Sequence, residues 1–237
     1  MPRRLRASLI VILNLFQDPV HPWKDCYTRG MSAFIFDFDG TIADSFETVI
    51  QIFHELTGRH DRLPDAEIER LRGMTLRQVA KDLHIQVWKV PYLLMKGRRT
   101  MNRQMEQVHA HRGVPEVIRK LFDEGHQLFI VSSNSTKNIE LFLQQHNLSK
   151  EFVSIYGGVG LLSKARMLRR VARRNSLEPE DTWYVGDEVR DIEGAHQAGL
   201  KVVAVAWGYN TAAILQQHRP TKLVHNPSEL LQLLEMA

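Results

Sequence analysis

Residues 33–45 have the sequence AFIFDFDGTIADS, in which a short apolar run is followed by two aspartates and a glycine. The run 33–36 is rich in aromatic and β-branched residues, which is typical of a buried strand in a parallel sheet. Open α/β sheets bind ligands beyond the carboxyl ends of their strands. Asp37 and Asp39 lie at that end, and their spacing of two residues places both carboxyl groups on the same side of the strand. We therefore expect the active site to be organised around these two groups.

Paired carboxylates suit phosphoryl transfer. One of them can attack phosphorus and form an aspartyl-phosphate, while the other protonates the leaving oxygen and later activates water. Mg²⁺ would screen the repulsion between the carboxylates and a phosphate group. Gly40 allows a sharp turn and a close approach to a ligand, and Asp44 or Ser45 can cap the following helix. The alternative is an ordinary strand with an Asp-rich turn, which the length and order of the pattern disfavour.

The composition bounds the size and the environment of the protein. The chain has 237 residues, of which 43% are apolar and 24% charged, enough for a core domain and a small second domain. The single cysteine, Cys26, excludes an internal disulfide and fits a reducing compartment, so we expect a cytoplasmic location. No apolar run approaches the ~20 residues that span a bilayer, and we expect no membrane partner.

The net charge of +4 is concentrated at the start of the chain. Residues 1–30 contain five basic and two acidic residues, so the remainder is nearly neutral. The basic run 96–103 has no interleaved aromatic residues and is interpreted as a solvated helix face. We therefore expect no nucleic-acid partner.

The hydrophobic pattern predicts an α/β fold with an insertion. From residue 114 onward strands alternate with helices, which predicts a doubly wound parallel sheet. Residues 46–110 show helical apolar spacing in four segments and no strand pattern. We predict a core formed by residues 31–45 and 111–237, a four-helix insertion at 46–110, and a poorly ordered N-terminal extension at 1–30.

Polar residues follow two further predicted strands of the core. Ser132, Ser133 and Asn134 come directly after an apolar strand, where hydroxyls, an amide and turn N–H groups can hold phosphate oxygens. Lys164 begins a helix after the third strand, where its charge can neutralise a phosphoryl group and the nucleophile. Taken singly, these residues also fit a polar turn and a surface lysine.

A pair of aspartates follows the strand at 183–185. Asp187 can bind Mg²⁺ directly, whereas Asp191 can orient a metal-bound water or Lys164. The alternative for this segment is helix N-capping by acidic residues.

Together these segments resemble the haloacid dehalogenase-like superfamily. DFDGTIADS resembles its motif I, Ser132 and Lys164 fit motifs II and III, and GDEVRD at 186–191 resembles motif IV, in the family's order over about residues 31–237. The resemblance implies that Asp37 is the nucleophile and Asp39 the general acid/base. The true dehalogenases of the superfamily lack the second aspartate, so Asp39 indicates phosphate chemistry.

The resemblance also implies a site composition. Lys164 joins the two aspartates as a catalytic residue, and Asp191 supports the metal without binding it. The implied metal ligands are Asp37, Asp39 and Asp187. The implied phosphate-binding residues are Ser132, Ser133, Asn134, Gly40 and Thr41.

By the same resemblance the insertion 46–110 is a helical cap over the active site. The segment 72–77, RGMTLR, resembles the cap loop of phosphoglycolate phosphatases and beta-phosphoglucomutases. Arg72 or Arg77 is therefore expected to contact an anionic substrate. A surface helix junction is the alternative.

We therefore predict an Mg²⁺-dependent phosphatase that hydrolyses a small phosphorylated metabolite through an aspartyl-phosphate, similar to phosphoglycolate phosphatases. Two alternatives stay open, a phosphomutase of the same fold and a catalytically idle binding protein. The pattern leaves the substrate and the oligomeric state open.

Overall fold

The first predicted strand lies at the centre of the sheet. In the computed structural model, β1 (Ala33–Phe36) pairs in parallel with β4 (Gln127–Val131) on one side and with β6 (Thr182–Gly186) on the other. Three more strands complete the described sheet, β5 (Phe152–Tyr156), β7 (Lys201–Val205) and β8 (Lys222–Val224). The order of these six described strands is β5-β4-β1-β6-β7-β8, and every pairing among them is parallel. The predicted parallel α/β sheet is confirmed.

The structure describes residues 32–57, 61, 63–82, 84, 100, 104–160 and 163–232, without the side chains of residues 52 and 55–57. The predicted extension at 1–30 and most of the fourth predicted helix of the insertion lie outside these residues. Within this part of the chain, no helix has the length and apolar character needed to cross a membrane.

Helices cover both faces of the sheet. The core contains α4 (Val114–Asp123), α5 (Thr136–Gln145), α6 (Lys164–Arg174), α7 (Val189–Ala198), α8 (Ala212–Gln217) and α9 (Glu229–Gln232). α4, α5 and α9 contribute to one apolar cluster, and α6 and α7 contribute to the other. These helices alternate with the strands from residue 114 onward, as predicted, whereas α8 was not predicted.

The alternation of side chains along β1 builds the two clusters. Phe34 and Phe36 point into the cluster with α4 and α5, whereas Ala33 and Ile35 point into the cluster with α6 and α7. All four side chains are buried, because a parallel strand with helices on both faces has no solvent side. The strand ends at Phe36, so Asp37 is the first residue beyond its carboxyl end.

The insertion is joined to the core by a short ribbon. β2 (Ala43–Asp44) and β3 (His109–Ala110) pair antiparallel at the two ends of the predicted insertion. Two-residue strands are too short to give a sequence pattern, and neither was predicted.

Three α-helices are described in the segment 46–110, the predicted insertion. They are α1 (Phe46–Thr57), α2 (Asp65–Arg72) and α3 (Leu76–Asp82). The Thr75 hydroxyl accepts a hydrogen bond from the Gln78 amide, while the Gln78 side chain accepts one from the Thr75 amide. This reciprocal pair caps the start of α3.

Two identical substitutions separate core packing from surface effects. Leu128 in β4 is fully buried, whereas Leu76 is 49% exposed. We expect Leu128→Ala to lower the free energy of unfolding by about 2–5 kcal/mol, and Leu76→Ala to change it by less than about 0.5 kcal/mol. Urea unfolding followed by circular dichroism measures both. Equal losses in the two variants would contradict the assignment of β4 to the core.

Candidate active site

Lys164 joins two of the predicted aspartates. Its ammonium donates to Asp37 Oδ2 at 2.8 Å and also to Asp191 Oδ1. Lys164 comes from the start of α6, Asp37 follows β1, and Asp191 lies in the first turn of α7. All three side chains are at most 6% exposed. The second oxygen of Asp191 accepts from the Glu188 amide at 2.9 Å, so both Asp191 oxygens serve to hold Lys164 and the start of α7.

Asp39 is held through one oxygen only. Its Oδ1 accepts from Asn134 Nδ2 at 3.0 Å and from the Ser45 hydroxyl at 3.3 Å. Among the described residues no donor contacts Oδ2. Asn134 is itself fixed, because its own carbonyl oxygen accepts from the Ser135 amide and from Asn138. Oδ2 is therefore the oxygen of Asp39 that can exchange a proton with a ligand.

The pKa values of both motif I aspartates are raised. Burial raises the pKa of Asp37 to about 6, opposed by the charge of Lys164. Burial, and then the charge of Asp37, raise the pKa of Asp39 to about 7. A general acid must carry a proton near neutral pH, so the raised pKa of Asp39 suits the role expected for it.

Asp187 lies where three loops meet. Its Oδ1 accepts from the Thr41 hydroxyl at 2.8 Å, and its Oδ2 accepts from the Tyr209 amide at 2.7 Å. A Cβ at Gly40, where φ is +77°, would lie 2.3 Å from Asp187 Oδ2, and one at Gly208 would lie 2.2 Å from the Asp187 Cβ. Glycine is required at both positions because the backbone passes this close to the carboxylate.

The carboxylates suit a divalent cation. Oxygens of Asp37, Asp187 and Asp191 lie within 4.8 Å of one another, and all three residues are buried. Asp187 receives hydrogen bonds only from neutral donors among the described residues, and burial raises its pKa well above the ordinary value. A fully buried carboxylate without a cation is costly, and hard oxygen donors are those that Mg²⁺ prefers.

The group of three differs from the predicted ligand set in one member. The Asp39 carboxylate is not part of it, and its Oδ1 accepts hydrogen bonds from Asn134 and Ser45. Asp191 is part of it, but its oxygens are occupied by Lys164 and the Glu188 amide. The ligand roles of these residues stay predictions.

The predicted phosphate-binding residues lie in two places. Ser132 is fully buried, and its hydroxyl accepts from the Asn134 amide at 3.1 Å while donating to no described residue. Its proton is therefore available to a ligand oxygen. Asn134 faces Asp39, and Ser133 is half-buried in the same turn. The hydroxyl of Thr41 donates to Asp187, so its proton is directed at a carboxylate.

A reciprocal contact joins the insertion to the core. Arg72 donates to the carbonyls of Gly208 and Tyr209 at 3.0 and 3.2 Å. In return, Asn210 donates to the carbonyls of Arg72 and Met74, both at 2.9 Å. Arg77, the other predicted substrate contact, is exposed on α3. The structure therefore places Arg72 at the joint between the insertion and the core.

A cavity of about 240 Å³ lies at this joint. Its lining comes from both parts of the chain and includes Phe46 and Arg72 from the insertion and Trp207 and Tyr209 from the core. The volume suits a small ligand.

The loop at 207–210 was missed by sequence reasoning. It contacts Asp187, Ser45 and Arg72, yet none of its residues was predicted to belong to the site. The sequence feature that could have indicated this loop is its position, since it follows β7 at the same edge of the sheet as Asp37.

Comparison with known proteins gives a consistent family. A model described as haloacid dehalogenase-like hydrolase matches residues 34–205. A phosphoglycolate phosphatase from Synechococcus elongatus is 36% identical over 204 residues, covering 85% of this chain and 96% of the relative. The pyrophosphatase PpaX of Bacillus mycoides is 27% identical over 210 residues, covering 84% and 95%.

Solved structures share the fold. A haloacid dehalogenase-like family hydrolase from Streptococcus pneumoniae has a TM-score of 0.70 at 21% identity, covering 87% of this chain and 99% of its own. A predicted phosphatase from Clostridium acetobutylicum has a TM-score of 0.72 at 18% identity, covering 87% and 100%.

The raised pKa of Asp39 predicts a pH-dependent stability of the metal-free protein. A carboxyl group with a raised native pKa binds its proton more tightly in the native state, so its contribution to stability falls as the pH rises from about 4 to about 7. Asp39→Asn removes this loss. In EDTA we expect its Tm to equal that of the wild type near pH 4 and to exceed it above pH 7.

Thermal unfolding at several pH values measures the difference. Asp123→Asn, at an exposed position at the end of α4, is the control and is expected to leave Tm unchanged. A lower Tm for Asp39→Asn at pH 8 would contradict the prediction.

Proposed function

Because this chain belongs to the haloacid dehalogenase-like hydrolase family, we propose that it hydrolyses a small phosphorylated metabolite through an aspartyl-phosphate on Asp37. The observation that supports this proposal is that Lys164 pairs with Asp37 and Asp191 in a buried charged group, and that Asp39 follows Asp37 by two residues. The chain is a phosphatase by its relationship to named phosphatases. The substrate, the metal and the site roles belong to the proposal, as does a cytoplasmic location.

The first step forms the phosphoenzyme. A carboxylate oxygen of Asp37 attacks phosphorus, and the bond from phosphorus to the leaving oxygen breaks. The leaving oxygen takes the proton from Oδ2 of Asp39, the oxygen that is free of hydrogen bonds among the described residues. The buried hydroxyl of Ser132 and the ammonium of Lys164 offer protons and charge to the phosphoryl oxygens.

The second step returns the enzyme to its starting state. Asp39, now ionised, takes a proton from a water molecule whose oxygen attacks phosphorus. The bond between phosphorus and Asp37 breaks, and inorganic phosphate leaves. Lys164 stabilises the departing Asp37 carboxylate through the contact already present at 2.8 Å.

We further propose that Mg²⁺ is the cofactor, held by Asp37 and Asp187. When bound, the ion supplies positive charge that offsets the repulsion between the phosphate and the carboxylates. Asp187 suits this role because its present partners, the Thr41 hydroxyl and the Tyr209 amide, are neutral and orient it. Asp191 acts by keeping Lys164 charged and in place. Burial would lower the pKa of Lys164, but the charges of Asp191 and Asp37 hold it above the ordinary value.

For the substrate we propose a small phosphomonoester carrying a carboxylate, of which 2-phosphoglycolate is the example. The support is the 36% identity with a phosphoglycolate phosphatase over nearly its whole length. Pyrophosphate is the second candidate, because several relatives at 26–27% identity are named pyrophosphatases.

A parallel assay tests the proposed function. We expect the protein with Mg²⁺ to release phosphate from 2-phosphoglycolate at least tenfold faster, by kcat/KM, than from pyrophosphate or glucose 1-phosphate. Asp37→Asn, which replaces the attacking carboxylate by an amide of equal size, is expected to retain less than about 1% of this activity while keeping the wild-type circular dichroism spectrum.

Three results would revise the proposal. Faster hydrolysis of pyrophosphate would select the second candidate. Accumulation of glucose 6-phosphate ahead of free phosphate would indicate a phosphomutase. The absence of turnover with these compounds and with para-nitrophenyl phosphate in the presence of Mg²⁺ would indicate a binding protein.

The two motif IV aspartates are expected to differ in their effect on the metal. Asp187→Asn should raise the dissociation constant for Mg²⁺ by at least tenfold, because a charged oxygen ligand is lost. Asp191→Asn should raise it by less than about threefold and mainly lower kcat, because it loosens Lys164. Isothermal titration with Mg²⁺ measures the first effect and steady-state kinetics the second. A larger loss of Mg²⁺ affinity in Asp191→Asn would exchange the two roles.

A further inference from the structure

Tyr209 is tied to three parts of the candidate site. Its backbone amide donates to Asp187 Oδ2 at 2.7 Å, and its carbonyl accepts from Arg72 Nε at 3.2 Å. Its hydroxyl lies 2.6 Å from the Ser45 hydroxyl, and its ring is 6.2 Å from the Phe46 ring. Hydrogen bonds therefore hold both the backbone of Tyr209 and its hydroxyl group.

The number of hydroxyl protons determines which group donates in the chain of hydrogen bonds from Tyr209 through Ser45 to Asp39. Ser45 has one hydroxyl proton, and its oxygen lies 3.3 Å from Asp39 Oδ1, 3.5 Å from the Ala43 carbonyl and 2.6 Å from Tyr209. When Asp39 is ionised, its Oδ1 can only accept, so Ser45 donates to it and Tyr209 donates to Ser45. The short contact to Tyr209 then fixes the lone pair and the proton of Ser45 in a single orientation.

We propose that Tyr209 is a positioning residue that acts through Ser45 to hold Oδ1 of Asp39 as a hydrogen-bond acceptor, so that the catalytic proton resides on Oδ2. The inference rests on the proposed function, in which Asp39 is the general acid/base. Asn134 supplies the second fixed donor to Oδ1 from the opposite element, the turn after β4. Without the Tyr209 hydroxyl, Ser45 divides its proton between Asp39 and the Ala43 carbonyl.

The anchoring of Tyr209 explains why this path can set a geometry. The amide and carbonyl contacts restrain the backbone of the loop at 207–210, and Asn210 adds bonds from the same loop to the Val189 amide and to the Arg72 carbonyl. A phenol ring has only two rotatable bonds and carries its hydroxyl at a fixed distance from this restrained backbone. Ser45 is 1% exposed, so solvent does not compete for its hydroxyl.

Tyr209→Phe removes the hydroxyl and keeps the ring. Tyr156→Phe is the matched control, because Tyr156 is also half-buried but its hydroxyl makes no hydrogen bond with the described residues. The test substrates are 2-phosphoglycolate, an alkyl phosphate whose leaving oxygen needs a proton, and para-nitrophenyl phosphate, whose leaving group departs without one.

We expect a defect that depends on the leaving group. In Tyr209→Phe, kcat for 2-phosphoglycolate should fall about tenfold, a part of the 10²–10⁴ that a general acid contributes, with KM changed less than about twofold. The rate of the initial burst of para-nitrophenolate should change less than about twofold. Tyr156→Phe should match the wild type in both assays. Ser45→Ala combined with Tyr209→Phe should lose no more than Ser45→Ala alone, because the two act through one path.

Crystal structures of the two Phe variants provide a readout independent of turnover. We expect the Asp39 carboxylate to rotate away from Ser45, or to occupy two orientations, in Tyr209→Phe only. Full activity of Tyr209→Phe, an equal loss with both substrates, or an unmoved Asp39 would overturn the inference. A wild-type protein inactive on both substrates would instead refute the proposed function, and the crystal structures alone would then decide whether Tyr209 positions Asp39.

Discussion

The ammonium of Lys164, placed between Asp37 and Asp191, is the contact on which the rest of the site depends. Several carboxylates lie buried at one edge of the sheet, and the desolvation of each charge opposes folding. Lys164 compensates two of them at once. Within the described part of the chain, the donors that hydrogen-bond to Asp187 and Asp39 are all neutral. The fold therefore leaves part of this negative charge for protons or a ligand cation to balance, which is the condition that a phosphate-binding site with a metal requires.

The topology explains why so few residues decide this arrangement. With β1 between β4 and β6, the turns after three neighbouring strands open at the same edge. These elements could be predicted because each is an apolar run ended by a glycine or a polar residue. The helix α8 could not, since its two buried side chains, Ile214 and Leu215, are adjacent and show no helical spacing. The strands β2 and β3 could not either, since two residues are too few to show an alternation.

Position relative to the strands also distinguishes the site residues that could be predicted from those that could not. Asp37, Ser132 and Asp187 directly follow strands, so the strand order alone brings them together. Tyr209 also follows a strand, but its contacts with the motif I segment and with Arg72 span more than 130 positions. Contacts from side chains to backbone carbonyls leave no pattern in a single sequence, because any residue supplies a carbonyl.

The use of backbone carbonyls as acceptors also bears on how the insertion relates to substrate specificity. The joint is made by donors on Arg72 and Asn210 that bind carbonyls, so its geometry does not depend on most of the side chains in the loop at 72–77. Side chains elsewhere in the insertion can then vary without moving the loop that holds Asp187. A docking contact that depends on carbonyls, combined with different ligand contacts elsewhere, would let related chains act on different phosphate compounds. The phosphoglycolate phosphatase and pyrophosphatase names among the relatives of this chain fit such a division of labour.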